Sequence, residues 1–220
     1  RRLEQQGVAA AVLPSLFEEQ ICRDEQRVNA LMEYQVYETA EALSYFPKMK
    51  DYNVGPHEYL ELLENAANTL SIPVIGSLNG SSPGGWVRYA KLIEDAGASA
   101  IELNIYFVAT DPSMTGEAVE QRYVDFVATV RAAVKIPIAV KLGWQFSNIT
   151  NFIPKLVQAG ANGVILFNRY LEPDIDLETL RLTPQLVLSN RHELRAPLRW
   201  IAILRDQVSI SLGATSGIHY

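Results

Sequence analysis

Short apolar runs alternate with longer stretches of helical periodicity along this chain. Near-continuous hydrophobic segments fall at Val8–Leu13, Pro73–Leu78, Ser99–Asn104, Pro137–Leu142, Gly163–Asn168 and Val208–Leu212. Runs of this kind, without in-and-out alternation, predict strands buried on both faces. Amphipathic patterns between them predict helices over His57–Leu70, Gly84–Asp95, Gly116–Val134, Asn148–Gln158 and Glu193–Leu204. The junctions repeat. Gln6-Gly7-Val8, Ala96-Gly97-Ala98 and Ala159-Gly160-Ala161 each set a glycine where a helix must end in the left-handed region before a strand begins. Ile72-Pro73 and Ile136-Pro137 use a proline to stop the helix and open the strand.

Strand–helix alternation with one helix per crossover predicts a parallel α/β sheet. An open doubly wound sheet would carry G-x-G-x-x-G after its first strand, and no such motif follows Leu13. The expectation is therefore a single domain over residues 1–220, a (β/α)8 TIM-type barrel in partial form. The six runs read as strands two to seven, with the first and eighth outside the chain. An opening at Arg1 inside a helical pattern and a close just after a turn suit the middle of a longer protein. One connection breaks the rhythm: an insertion at about residues 14–56, helical and mixed in charge over Glu19–Phe46 and loop-like over Pro47–Pro56. An insertion at that end of a strand predicts a lid or a partner surface. The stretch Arg169–Leu188, with Pro173 and Pro184, predicts a small hairpin over the barrel mouth.

Composition narrows the function classes. The 220 residues carry 19 Lys+Arg against 25 Asp+Glu, a net charge of −6, with no basic run to hold a nucleic-acid backbone. No apolar run reaches the roughly 18 residues of a membrane span. A single cysteine, Cys22, leaves no disulfide framework or cysteine-based zinc site, and predicts a reducing, cytoplasmic setting.

In barrels of this type the chemistry sits at the C-terminal ends of the strands. Those positions hold Ser15, Asn79, Asn104, Lys141, Asn168 and the turn Ser216-Gly217. One lysine, several amides and a Gly/Ser turn converge, without paired carboxylates, a metal cluster or a serine–histidine couple. Such a set donates many hydrogen bonds and one positive charge, which suits a planar heterocycle with carbonyls and ring nitrogens. A lone buried lysine is costly unless paired, so Lys141 is the strongest candidate. His57, His192 and His219 read as surface or cap residues, and Trp86, Trp144 and Trp200 as packing.

With these residues on the page, the chain resembles the dihydroorotate dehydrogenase family, closest to its dihydroorotate dehydrogenase-like branch. The marks are Ile75-Gly76-Ser77-Leu78-Asn79-Gly80, Ile101-Glu102-Leu103-Asn104-Ile105 and Val140-Lys141-Leu142. Gly163-Val164-Ile165-Leu166-Phe167-Asn168-Arg169, Pro197-Leu198-Arg199-Trp200 and Ala214-Thr215-Ser216-Gly217-Ile218 follow in the same order. The resemblance implies an eight-stranded barrel holding FMN at its mouth, commonly as a homodimer, and hydride transfer from a dihydropyrimidine-like substrate in pyrimidine metabolism. It matches Lys141 to the lysine at the flavin N1/O2 edge, where a fixed cation favours reduced flavin. Asn104 and Asn168 match residues that bind flavin and pyrimidine, and Asn53 matches a further substrate asparagine. Thr215, Ser216 and Gly217 match the phosphate loop.

The chain departs from the family pattern where proton transfer is needed. Removal of hydride from C6 requires a base for the C5 proton, a Cys or Ser three residues after the strand-four asparagine. Here that residue is Phe107, which takes no proton. Tyr106 and Thr110 are the nearest stand-ins, and a tyrosine with an ordinary pKa of ~10 is a weak base. The lysine expected near Ser15-Leu16 is also missing. Two other readings stand beside the flavoenzyme. Lys141 forms a Schiff base in an aldolase-type barrel, for which no acid–base neighbour can be named. Or the barrel is a catalytically altered flavoprotein or a non-enzymatic subunit whose charged insertion docks a partner.

Overall fold

The computed structural model describes residues 1–17, 56–79, 83–105, 107–169, 173–184 and 187–219. Most of the expected insertion at 14–56, with Cys22 and Asn53, lies outside the described residues, as does Tyr106. Six strands run β1-β2-β3-β4-β5-β8 in hydrogen-bonded order, and β6 and β7 form a separate two-stranded sheet. The chain divides into two compact units, Arg1–Ile101 with Ala133–Ile136, and Glu102–Ala132 with Pro137–Tyr220.

The first unit contains α1 (Arg2–Gln5), β1 (Ala11–Phe17), α2 (His57–Thr69), β2 (Val74–Asn79), α3 (Pro83–Asp95) and the start of β3 (Ala100–Asn104). β1 and β2 pair in parallel, with Ala11 opposite Val74 and Phe17 opposite Asn79. The expected strand Val8–Leu13 is therefore displaced toward the C-terminus. Pro14, just beyond the expected end at Leu13, lies inside β1, where a residue without an N–H is tolerated if it need not donate to the ladder. The register slips there: Val12 faces Ile75 but Ser15 faces Ser77, a bulge of one extra residue. Leu16, Leu63, Val74, Leu78, Trp86, Tyr89 and Ile93 form the core of this unit.

At its far end Glu94 does structural work. Its carboxylate accepts from Lys91 Nζ at 2.6 Å and from the backbone N–H groups of Lys135 (2.6 Å) and Ile136 (3.1 Å). These bonds satisfy two donors at the turn that leads into the next strand and hold the Glu94 carboxyl down to about pKa 2. Pro137 then opens that strand, as the sequence predicts.

The second unit contains the end of β3, α4 (Gly116–Ala133), β4 (Ile138–Leu142), α5 (Ile149–Gln158) and β5 (Gly163–Leu166). It continues with β6 (Pro173–Ile175), β7 (Leu182–Pro184), α6 (Arg195–Leu204) and β8 (Ser211–Ala214). β4, β5 and β8 pair in parallel through Ala139–Gly163–Ser211 to Leu142–Leu166 and Leu166–Ala214. β6 and β7 are antiparallel, the hairpin expected over Arg169–Leu188. Leu103, Ile105, Tyr123, Val127, Ile138, Leu142, Phe152, Leu156 and Leu166 are buried. Tyr123, Phe146 and Phe152 pack ring on ring, with Phe146 stacked on Phe152 at 4.4 Å between centroids.

The parallel α/β class and most element bounds agree with the hydrophobic pattern. Gly7, Gly97 and Gly160 have φ of +84°, +90° and +109°, as the junction motif requires. The exceptions have local causes. Val208, read as strand, bonds back through its N–H to Leu204 O and so extends the end of α6, which shifts β8 to Ser211–Ala214. Glu193, read as helix, turns its carboxylate to the N–H and side chain of Asn190 instead.

Candidate functional site

The pleat of β3 puts Glu102 and Asn104 on one face, and Ile101 and Leu103 on the other. Lys141, the penultimate residue of β4, brings its Nζ to 3.5 Å from Glu102 Oε1. The Glu102 side chain is 6% exposed and that of Lys141 22%. This buried pair answers the cost of placing a lysine inside a strand. Beyond β5, Asn168 donates from its backbone N–H to Leu142 O at 2.6 Å and from Nδ2 to Asn104 Oδ1 at 2.5 Å. Three of the residues picked out from the sequence, Asn104, Lys141 and Asn168, thus meet at the ends of β3, β4 and β5 within one unit.

Glu102 is the residue that sequence reading missed. The signal was present: a lone carboxylate in the apolar run Ala100-Ile101-Glu102-Leu103, with a lone lysine two positions into the next strand's apolar end. Two buried strand charges of opposite sign call for each other.

Phe107, three residues beyond Asn104, lies under the guanidinium of Arg122, which is 4.2 Å from its ring centroid and 5.5 Å from that of Phe126. The side chain at the expected base position is thus clamped against α4. Tyr123 Oη reaches Ile105 O at 3.5 Å and holds the same segment.

The turn after β8 has Ser216 at φ +71° and Gly217 at φ +72°. Thr215 N donates to Leu166 O at 2.8 Å, and Gly217 N to Ser189 Oγ at 3.2 Å. A Cβ on Gly217 would lie 2.4 Å from Leu194 N, so this position is restricted to glycine by both conformation and close approach.

In the first unit Ser15 is not beyond β1 but within it, and its Oγ is 2.8 Å from Ser77 Oγ. Ser77 N donates to Tyr59 Oη at 2.9 Å, and Tyr59 Oη donates to Ser77 O at 3.2 Å. Asn79 closes β2 opposite Phe17. Trp86 is buried, but Trp144 is 65% exposed, which corrects its reading as packing. It follows Gly143 in the loop after β4. His57, His192 and His219 are exposed. Among the described residues no group of three or more His, Cys, Asp or Glu side chains could hold a metal ion. No described helix is long and apolar enough to cross a membrane.

A protein of Aeropyrum pernix whose name assigns it to dihydroorotate dehydrogenase A (fumarate) is 33% identical over 130 residues, 57% of this chain and 41% of that protein. Over about half its length, the chain is similar to proteins named dihydroorotate dehydrogenase. Dihydroorotate dehydrogenase A (fumarate) of Limosilactobacillus reuteri is 33% identical over 52% of this chain and 38% of its own. The catalytic subunit of dihydroorotate dehydrogenase B (NAD(+)) from Endomicrobium trichonymphae is 28% identical over 59% of this chain and 42% of its own. The chain thus spans about two fifths of the length of these relatives. No family model matches it. Among solved structures, two of phosphonopyruvate hydrolase superpose with TM-scores of 0.45 and 0.46 at 18% and 16% identity. These cover 79% and 93% of this chain, and 64% and 75% of theirs.

Proposed function

We propose that the chain is part of a TIM-type barrel oxidoreductase that binds FMN and acts on CH–CH bonds of a dihydropyrimidine-like substrate. The observation that carries this reading is the convergence of one fixed cation, Lys141, with the hydrogen-bonded amides Asn104 and Asn168 at neighbouring strand ends. The donor set fits the group. A flavin ring offers carbonyl and ring-nitrogen acceptors, and a phosphate tail seeks backbone donors in a turn such as Thr215-Ser216-Gly217. When bound, FMN supplies a two-electron acceptor for hydride.

Lys141 would face the edge of the cofactor that gains negative charge. Asn104 and Asn168 would orient flavin and substrate, and Asn53 would add a further substrate contact. An ammonium held beside a carboxylate is a fixed cation and a poor nucleophile, so the Glu102–Lys141 pair favours this role over a Schiff base. Proton removal is the open task of the site: Phe107 under Arg122 takes no proton, and Tyr106 and Thr110 are the remaining candidates. The clamp on Phe107 favours one second reading, a flavoprotein or barrel subunit that binds without the usual proton transfer. Assembly as a homodimer in the cytoplasm belongs to the proposal, with the charged segment of the insertion as a further partner surface.

The test is an anaerobic visible spectrum of the intact protein before and after dihydroorotate. An oxidised-flavin band that bleaches is the expected result. A band that persists moves the proposal to the second reading, and a protein that takes up no flavin overturns both flavin readings.

A further inference from the structure

The roles assigned above leave Glu102 without a function of its own. Three lysines form ion pairs among the described residues, and the one at Glu102 differs from the others. Lys91 closes on Glu94 at 2.6 Å and Lys155 on Glu120 at 2.9 Å, both with lysine side chains more than 40% exposed. Lys141 and Glu102 are the most buried of these pairs yet stand 3.5 Å apart. A pair withdrawn from solvent is weak evidence for a stabilising role, so its placement beside the strand-end amides is the more informative fact. The two groups project from separate strands, and an ammonium with three donors is engaged by this carboxylate on one side. Lys141 is tethered but not consumed.

We infer that Glu102 is a positioning residue for Lys141, which fixes where the ammonium points and limits the positive charge that the site presents to a bound flavin. This rests on the flavin reading of the same site. A lone cation at that edge would favour the reduced, anionic ring strongly, and a carboxylate behind the cation offsets part of that preference. Glu102 touches neither cofactor nor substrate in this account and acts through Lys141.

Two variants and two readouts test it on the intact protein. Glu102→Gln keeps the side chain's shape and removes its charge, while Glu102→Asp keeps the charge and draws it back by one methylene. In the flavin-loaded protein, E102Q is expected to favour reduced over oxidised FMN tenfold more than wild type does. That ratio is a rise of about 30 mV in the two-electron midpoint potential. E102D should fall between, and the rise should vanish in a Lys141→Gln background. The second readout needs no flavin: acylation of Lys141 by N-hydroxysuccinimidyl acetate, followed by mass spectrometry. It should run at least about threefold faster in E102Q, because the amine is no longer held against a carboxylate. A potential unchanged in E102Q, or an unchanged acylation rate, overturns the proposal. If wild type binds no flavin, the flavin reading fails, and the acylation rate alone decides whether Glu102 holds Lys141. If E102Q does not fold, E102D supplies both readouts, and wild-type values on both overturn the proposal equally.

Discussion

Asn168 Nδ2 donates to Asn104 Oδ1 across 2.5 Å, so the side chain that ends β3 and the one that follows β5 form a single amide pair. Asn168 is 7% exposed, and its backbone N–H is tied to Leu142 O at the end of β4. One residue therefore links three strand ends, and its side chain has little freedom to turn toward a ligand in any other pose. Preorganisation of this kind lets a site orient a ligand without ordering the side chain at the moment of binding.

Removing that amide should be felt in stability and in binding together. Asn168→Ala removes the hydrogen bond that Asn104 Oδ1 accepts, a loss of about 0.5–1.5 kcal/mol. Urea unfolding should show it as a lower midpoint with an unchanged slope. A flavin titration should show at least about tenfold weaker binding, the equivalent of ~1.4 kcal/mol. If Asn168→Ala matched wild type in both, the pair would be a strand-end contact and no part of a site.

How much of this was legible in the sequence depends on what kind of signal carried it. Local rules carried well: Gly97 and Gly160 end helices with positive φ, Pro73 and Pro137 open strands, and Asn148 caps α5 by accepting from Asn151 N. The strand-end rule led directly to Asn104, Lys141 and Asn168, because strand ends follow from hydrophobic pattern alone. Pairing between strands did not carry. That Glu102 meets Lys141 depends on the register of β3 and β4, which no single run of residues encodes. The extension of β1 past Leu13 through Pro14 is not legible, because a proline's effect depends on whether its missing N–H faces a ladder. Nor is the exposure of Trp144, which is decided by what the fold lays over a loop. Asn53 and Tyr106 lie outside the described residues and stay with the resemblance that suggested them.

Phe107 gives the sharpest test of the chemistry. General base catalysis by a placed side chain contributes typically 10²–10⁴-fold, and a phenyl ring contributes none of it. Phe107→Cys should therefore raise dihydroorotate-dependent flavin reduction by at least about tenfold in single-turnover measurements, with the larger gain above neutral pH as the thiolate fills. Loss of the closer of the two rings under Arg122 should cost only about 0.5–1 kcal/mol in thermal unfolding, since Phe126 remains. A Phe107→Cys protein that folds, binds flavin and reduces it no faster would place the missing proton acceptor elsewhere.

Gly217 separates a structural need from a binding role. A methyl group there would meet Leu194 N at 2.4 Å on a backbone at φ +72°, so Gly217→Ala should lower stability by roughly 1–3 kcal/mol through strain and displacement of the 190–194 segment. Ser189→Ala instead removes only the acceptor of Gly217 N, at about 0.5–1.5 kcal/mol. If the turn holds a phosphate, the N–H released in Ser189→Ala becomes available to it, and inorganic phosphate should protect this variant against heat at least as well as wild type. Phosphate that stabilises neither protein would remove Thr215, Ser216 and Gly217 from the candidate site.

Glu94 supplies a prediction that owes nothing to the flavin reading. Its carboxyl is held at about 2, below the ordinary 4.5, chiefly by the hydrogen bond from Lys91 and then by those from the backbone of Lys135 and Ile136. A depressed folded-state value means that the folded protein binds the proton less readily than the unfolded chain does. The stabilisation is thus fully present above pH 4.5 and is lost as the pH falls from there through about 2. With solvent screening taken into account, about 1–2 kcal/mol of pH-dependent stability should trace to this group. Glu94→Gln keeps an acceptor for the two backbone donors but no charge for Lys91, so its unfolding free energy should lie below wild type at pH 6 and converge on it near pH 2. Parallel curves for the two proteins across that window would show that the Glu94 carboxylate does not anchor the turn into β4.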